Sequence, residues 1–537
     1  MTEPMILGSL DTFLEGSRSD LRLGRLSANA GMLRGLLEYG KFREFHLFCP
    51  SVEQRAGLDG LLAGWLPKDL RARLRLRLQV ELPQALLDGS VDVFHSAGWS
   101  RYLPGMARLR DRLASRAVPL TGTIHSISEP DMAARFRQFL SAPFHSCDAV
   151  FCSSSAGMQA FARQISHCSG TFSGSLEQIS LGIGEEFFRS SDRAGSRARL
   201  GFRDGEFVFL WLGRLSATTK ADLGPLLYAF RRLAAGGGDV RLVLAGGDDP
   251  GSRKAYQDMV SELGLQDCVL VRPDPSDELR ADLYAGCDAF VSPVDNHQET
   301  FGLAVVEAMA ASLPCVVSDW DGYKDLVEDG QTGFRIPTYA AAPSETVTGL
   351  QEILDPPLAQ LLLSQAVAID INALAERMTW LCENPQMARE MGERGRRRAR
   401  ELFHWKPVVA KMEAAWEGLR ERSKECSLER SCAWSTFPEA FEGYPTAHLA
   451  DTQTLALSVD AEAILAGRLP MPATWSDLGP LSDGRLMTWI VRALKQGPSD
   501  LVHLKAEASR QLGVADADTS WMVLWLLKYG LLELSES

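Results

Sequence analysis

Val291-Ser292-Pro293-Val294-Asp295-Asn296-His297-Gln298-Glu299-Thr300-Phe301-Gly302-Leu303-Ala304-Val305-Val306-Glu307-Ala308-Met309-Ala310 reads as a strand that stops at Pro293, a polar loop, and a helix that opens near Gly302. The first backbone N–H groups of a helix have no partner inside it, so this terminus is an anion site suited to a diphosphate. Glu299 stands in the loop and Glu307 about a turn and a half into the helix. Each carboxylate can accept hydrogen bonds from a pair of hydroxyls, one on a sugar ring and one on a ribose. The plainer reading makes Glu299 an acid favoured by the helix dipole and Glu307 a surface residue. Val305, Val306, Ala308 and Met309 around Glu307 argue against casual exposure.

The same strand–loop–helix rhythm extends in both directions. Upstream run a strand Phe207 to Leu212, helix Ala221 to Ala235, strand Arg241 to Ala245, helix Arg253 to Leu263, strand Cys268 to Val271, helix Ser276 to Gly286 and strand Ala289 to Ser292. Strands Cys315 to Ser318 and Gly333 to Ile336 follow, and the helical stretch Pro385 to Arg420 closes the series. An earlier series has strands Met5 to Leu7, Glu44 to Cys49, Arg73 to Val80, Val91 to His95, Leu120 to His125 and Ala149 to Cys152. Its helices are Asn29 to Tyr39, Val52 to Leu66, Met106 to Arg116 and Pro130 to Leu140. Such alternation predicts an α/β chain of two doubly wound, Rossmann-like lobes facing a cleft, with ligands at the carboxyl ends of the strands. The expected division is a first lobe over 1–195, a second over 196–420, a linker over 421–455 and a small, mainly α module over 456–537. In that module three short helices and a terminal strand resemble a winged helix.

A chain of 537 residues, 45% apolar and 23% charged, is globular and large enough for two or three domains. Its ten cysteines include no C-x-x-C pair and read as buried small hydrophobes, neither a disulfide frame nor a zinc site. The acidic N-terminus lacks the basic region of a signal peptide, and no run approaches eighteen apolar residues, so the expectation is a cytoplasmic protein. A net charge of −13 speaks against general nucleic-acid binding. The balance is uneven, +5 from Lys68 to Arg116 and −6 from Ser431 onward.

A second constellation is Phe207-Val208-Phe209-Leu210-Trp211-Leu212-Gly213-Arg214-Leu215-Ser216-Ala217-Thr218-Thr219-Lys220. An apolar strand delivers Gly213, where a backbone can approach a ligand, then Arg214, with Lys220 at the start of the next helix. Two cations at one such loop suit a pyrophosphate leaving group. An isolated Gly-Arg would be a solvated loop, but here both constellations end strands of one predicted sheet and can converge.

From about Phe207 to Leu419 the sequence resembles glycosyltransferase family 4, the retaining GT-B enzymes. The matching elements, in order, are Gly213-Arg214-Leu215-Ser216 with Lys220, Leu242 to Gly247, Glu299 to Glu307, Asp329-Gly330-Gln331-Thr332-Gly333-Phe334, and Phe403-His404-Trp405 before a last long helix. The resemblance implies that Arg214 and Lys220 bind the donor diphosphate, Glu307 the ribose and Glu299 the transferred sugar. Backbone N–H groups of Thr300, Phe301, Gly302 and Leu303 would hold phosphate and sugar, and the helix Trp405 to Leu419 would cross back onto the first lobe.

In the first lobe, Arg25-Leu26-Ser27-Ala28-Asn29-Ala30-Gly31 stands where family members often have a Gly-Gly loop, which places Arg25 and Asn29 on the acceptor side. His125 sits where the family has a histidine facing donor and acceptor; the plainer reading is a strand-end histidine. His95 ends a neighbouring strand in a similar position. Asp319-Trp320-Asp321 is the pattern that holds a metal in the other large glycosyltransferase fold, but it falls after the Glu pair and reads here as a polar turn with no metal implied. Arg71, Arg73, Arg75 and Arg77 alternate with apolar residues, which puts them on one strand face. That face is either the solvated side of an edge strand or a surface for anionic headgroups and acidic acceptors.

The function expected is glycosyl transfer from a nucleoside-diphosphate sugar with retention and without a metal or other cofactor. The acceptor, whether lipid, saccharide or protein, is not specified, nor are base and sugar. A protein partner or a peripheral place at the inner membrane face is compatible with the tail and the arginine face; DNA is not expected. The competing class is a catalytically silent sugar-nucleotide sensor or scaffold that uses its C-terminal module for partner interaction.

Overall fold

The computed structural model describes residues 4–14, 24–129, 131–168, 170–189, 192–247, 251–342, 344–350, 353–428, 430, 437–470, 475–481 and 483–535. Contacts divide the chain into two compact units, one of 1–48, 57–76 and 85–432, the other of 49–56, 77–84 and 433–537.

The first unit carries two sheets. In the first lobe β1 (Ile6–Ser9), β2 (Glu44–Cys49), β3 (Leu74–Leu78), β4 (Val93–Ser96), β5 (Leu120–Thr123), β6 (Ala149–Cys152) and β7 (Ser175–Gln178) lie in the order β3-β2-β1-β4-β5-β6-β7. In the second, β8 (Phe207–Leu212), β9 (Val240–Gly246), β10 (Val269–Pro273), β11 (Ala289–Ser292), β12 (Cys315–Ser318) and β13 (Gly333–Ile336) lie in the order β10-β9-β8-β11-β12-β13, parallel throughout. Runs such as Phe-Val-Phe-Leu-Trp-Leu in β8, buried almost end to end, are what a parallel strand covered on both faces requires. Winding reverses beside β8, between β9 and β11, which opens a crevice at their carboxyl ends. This is the expected α/β, GT-B arrangement. β7 was not expected because Ser-Leu-Glu-Gln, half-buried, has no apolar run. A short antiparallel pair, β14 (Thr338–Ala340) with β15 (Val367–Ile369), likewise follows no sequence pattern noted above.

Six helices of this unit matter below: α1 (Gly24–Tyr39), α2 (Ser155–His167), α3 (Asp277–Gly286), α4 (Leu303–Ala310), α5 (Pro385–Leu402) and α6 (Trp405–Ser423). The helix expected from Pro130 begins at Met132, Pro130 itself lying outside the described residues. α6 returns to the first lobe. Ile183 and His404 form a bridge where the chain crosses, and Trp416 donates its Nε1–H to Thr121 Oγ1 at 3.1 Å while its ring packs 5.4 Å from His95.

The arginine face is corrected by the structure. Arg71 belongs to a helical turn, Lys68–Arg71, and pairs with Asp59 at 2.7 Å. Arg73 donates to the carbonyls of Leu37, Gly40 and Phe42, satisfying backbone groups at and beyond the end of α1. Arg75 pairs with Glu44 at 2.9 Å and Arg77 with Glu81 at 3.5 Å. Arg110, from the same basic stretch, is fully buried between Asp111 and Asp148. Part of the local +5 is thus met by acids from outside the stretch, Asp59, Glu44 and Asp148.

The second unit packs α7 (Gly484–Leu494), α8 (Leu501–Leu512) and α9 (Asp516–Lys528) around Leu455, Ile490, Leu504, Val523 and Leu526. Its antiparallel sheet has β16 (Thr454–Leu457) between β17 (Ser499–Asp500) and β18 (Leu532–Leu534). The central strand therefore starts inside the segment read as linker. Asp483 and Asp500 cap α7 and α8 with their carboxylates. On α9, Met522 and Leu526 are buried in this core, whereas Trp521 and Leu524 face outward, 41% and 50% exposed.

Candidate active site

Within the first unit the two lobes line a cleft of about 770 Å³. From the second lobe it receives Gly213, Arg214, Lys220, Glu299, Thr300, Phe301, Gly302, Leu303 and Glu307, and from the first His125. β8 delivers Gly213 and Arg214, and the loop after β11 delivers Glu299, so these groups meet at the reversal of the sheet.

The loop is shaped by Gly302, which leads α4 with φ +111°; a Cβ there would stand 2.3 Å from Tyr323 Cε1. Only glycine combines that backbone with that approach. Leu303 and Ala304, the first residues of α4, line the cleft. Gly246, φ +145°, plays the corresponding part at the last position of β9, where a Cβ would meet the Gly213 carbonyl oxygen.

Lys220 and Glu299 form an ion pair, with side chains 17% and 16% exposed. Burial would lower the Lys220 pKa, but the Glu299 carboxylate, with Tyr323 behind it, outweighs this and raises it. Burial pulls Glu299 the other way, and Lys220 with the N–H groups of Phe301 and Thr300 brings it below the usual carboxylate range. Both groups are charged at neutral pH. Glu299 Oε1 accepts from the Phe301 N–H at 3.3 Å, so one N–H assigned to phosphate or sugar is engaged by the protein itself. Arg214 donates to the Thr219 carbonyl at 2.9 Å and Gln298 Oε1 at 3.3 Å.

Glu307 is 8% exposed. Its Oε2 accepts from Tyr284 Oη at 2.6 Å and Arg280 Nη2 at 3.2 Å. Burial raises its pKa above the ordinary value, against Arg280 and Tyr284. Sequence reasoning missed Arg280 and Tyr284, which stand on α3 and make no local spacing with Glu307. It also missed Gln298, Trp99, Ser126, Glu129 and Arg135, which line the cleft.

Thr300 joins the lobes: its hydroxyl donates to the His125 carbonyl and its own carbonyl accepts from Ser153 Oγ at 3.2 Å. Asp325 adds a second join by accepting from the Ser155 N–H at 2.6 Å and Oγ–H at 2.7 Å, at the start of α2. Not every expected residue reaches the cleft. His95 is fully buried, its Nδ1 3.0 Å from Thr121 Oγ1 and its ring between Phe151 and Trp416, with a pKa driven down to about 3 by burial and by His125; it is a core histidine. Asn29 is buried in α1 at 8% exposure behind Ser27 and Ala28, which do line the cleft. The Arg25 side chain lies outside the described residues. Asp319 pairs with Arg335 at 3.4 Å and Trp320 donates to the Asn296 carbonyl at 3.2 Å; among the described residues no cluster of three metal-ligating side chains occurs. No helix among them is long and apolar enough to cross a membrane.

Comparison with known proteins fits this geometry. Residues 192–366 match the family described as glycosyl transferases group 1. A D-inositol 3-phosphate glycosyltransferase of Mycobacteroides abscessus is 32% identical over 170 residues, 30% of this chain and 36% of that protein. The one from Kribbella flavida is 28% identical over 297 residues, 52% of this chain and 66% of that protein. The chain thus spans about a third to two thirds of the length of these curated relatives. Among solved structures, sucrose-phosphate synthase from Thermosynechococcus elongatus superposes with a TM-score of 0.53 at 19% identity, covering 78% of this chain and all of that one. Anabaena HepE in complex with UDP-glucose gives 0.51 at 19% identity, covering 77% of this chain and all of that one. At that identity the likeness establishes the GT-B fold. Residues 192–366 of this chain are thus similar to the group 1 glycosyl transferases, in agreement with the family 4 resemblance that its motifs carry.

Proposed function

We propose that this chain transfers a glycosyl group from a nucleoside-diphosphate sugar to a hydroxyl-bearing acceptor, with retention of configuration and without a metal. The observation that carries this is the convergence of two fixed cations, Arg214 and Lys220, a helix start at Leu303, and two carboxylates, half-buried Glu299 and buried Glu307, in one cleft. That HepE, which shares the fold, is seen in complex with UDP and with UDP-glucose supports the donor class.

In this reading Glu307 takes the ribose hydroxyls and Glu299 those of the sugar, while the diphosphate lies against Arg214, Lys220 and the start of α4. The bond from the anomeric carbon to the diphosphate oxygen breaks, and a bond to the acceptor oxygen forms on the same face. The acceptor's proton passes to the departing diphosphate. Charge growing on that group is met by donors already in place, an arrangement typically worth about 10²–10³ in rate for each donor. His125 faces the acceptor from the other lobe. A silent sensor would keep the nucleotide-binding groups but would not hydrolyse or transfer the donor. Release of nucleoside diphosphate from a panel of sugar nucleotides by the purified chain tests the proposal; binding without any release would overturn it.

A further inference from the structure

We propose that Cys147 and Cys426 form a redox modification site, two thiols that close to a disulfide and bind the chain beyond α6 covalently to the first lobe. Cys147 stands two residues before β6 and is fully buried, whereas Cys426 follows α6 and is half-buried. Their side chains are in hydrogen-bonding contact, and Ser146 Oγ stands 3.5 Å from Cys426 Sγ. The segment that carries Cys426 is held on either side of the thiol. Cys426 itself donates to the Arg422 carbonyl in the last turn of α6 at 3.5 Å. Beyond it, Arg430 donates to the first-lobe carbonyls of Arg112 and Ala114 at 3.0 and 2.8 Å. The fold thus keeps the two sulfurs together although the whole second lobe lies between them in sequence.

The two thiols are unequal, which sets the order of events. Burial, with the Asp148 carboxylate beside it, raises the Cys147 thiol far above its ordinary range, so it does not meet an oxidant as a thiolate. Cys426, reachable from solvent, reacts first. With a low-molecular-weight disulfide such as glutathione disulfide, the Cys426 sulfur displaces one glutathione and keeps the other as a mixed disulfide. The Cys147 sulfur, already in contact, then displaces the second glutathione. One S–S bond is broken and one is made, two electrons pass from the protein to glutathione disulfide, and the two thiol protons leave on the two glutathiones released. The ring so closed takes in the entire second lobe, and a loop of that length removes much entropy from the unfolded chain.

The test treats the folded full chain with excess glutathione disulfide, blocks the remaining thiols with an alkylating agent in denaturant, and reads the digest by mass spectrometry without reductant. The expected result is a joined pair of peptides carrying Cys147 and Cys426, separated by dithiothreitol and absent from Cys426→Ser. The oxidised chain should melt about 3 °C or more above its reduced form, a gain that Cys426→Ser does not show. Cys147 recovered as an alkylated thiol, with Cys426 left glutathionylated, unreacted or joined to Cys432, would overturn the site. A Cys147–Cys426 bridge that leaves the melting temperature unchanged would overturn the claim that it fastens the chain to the first lobe.

Discussion

Lys220 and Glu299, 79 residues apart in sequence, share one ion pair in the interior of the cleft, and each holds the other charged. Donor binding must therefore insert a diphosphate beside a carboxylate that has already claimed the lysine. Lys220 then serves two anions, which makes the pair a coupled element and not two separate contacts.

Breaking this pair from one side leaves a charge buried alone, which typically costs about 3–5 kcal/mol. Lys220→Ala should lower the melting temperature of the ligand-free chain markedly, and adding Glu299→Gln should restore much of the loss, because the stranded charge is then gone. Additive losses in the double variant would show that the two side chains do not act as a pair.

The two glutamates should separate in function. Glu307→Ala is expected to weaken free nucleotide binding by about tenfold or more, since a buried carboxylate held by Arg280 and Tyr284 would supply two charge-assisted bonds to ribose. Glu299→Ala should leave free nucleotide binding less affected and depress transfer instead. Equal loss of nucleotide affinity in both would contradict the division.

The second lobe was more legible than the first because its strands are continuous apolar runs. β8, β11 and β12 stand where the sequence places them, since a strand buried on both faces writes its own limits. Glu299 and Glu307 could be found because their partners are a loop and the helix it leads. Arg280 and Tyr284 could not, because they stand on a separate helix and only the tertiary fold brings their side chains to Glu307. His95 misled for the opposite reason: a strand-end position points to the cleft only if nothing covers it, and α6 brings Trp416 onto the ring from more than three hundred residues away. The four arginines show the same limit, as alternation cannot reveal that Arg73 is spent on the backbone at the end of α1.

Asp295, in the donor loop, is 4% exposed and accepts from the Asp222 N–H at 3.2 Å. Burial raises its pKa from the ordinary 3.8 to about 7, with the Asp222 carboxylate adding to the rise. The folded chain then keeps a proton that the unfolded chain sheds near pH 4, so stability falls as pH climbs from about 4 to 7 and the full penalty stands above that. Asp295→Asn should stabilise the fold at pH 8, by on the order of 2–4 kcal/mol read from denaturant unfolding, and do little at pH 4. An equal effect at both pH values would mean that Asp295 does not titrate in this window.

The leaving group supplies the sharpest test. A departing nucleoside diphosphate gathers charge in a closed cleft, and that charge must be met by a metal or by fixed cations. Arg214 and Lys220 stand on the loop after β8, and α4 begins on the same cleft wall. Asp319-Trp320-Asp321 is the one metal-like motif noted in the sequence, and its first carboxylate is engaged by Arg335. Transfer or donor hydrolysis should therefore persist in excess EDTA and fall by about 10²–10³ in Arg214→Ala or Lys220→Ala. The two cations are not interchangeable, because Arg214 can bridge two phosphate oxygens while Lys220 acts as a point charge held by Glu299. Arg214→Lys should thus recover only part of the loss. Since Lys220→Ala also destabilises the chain, its activity is to be measured below its own melting transition, with Arg214→Ala as the variant that leaves the buried pair intact. Activity lost in EDTA and restored by Mn²⁺, with both alanine variants unimpaired, would overturn the assignment.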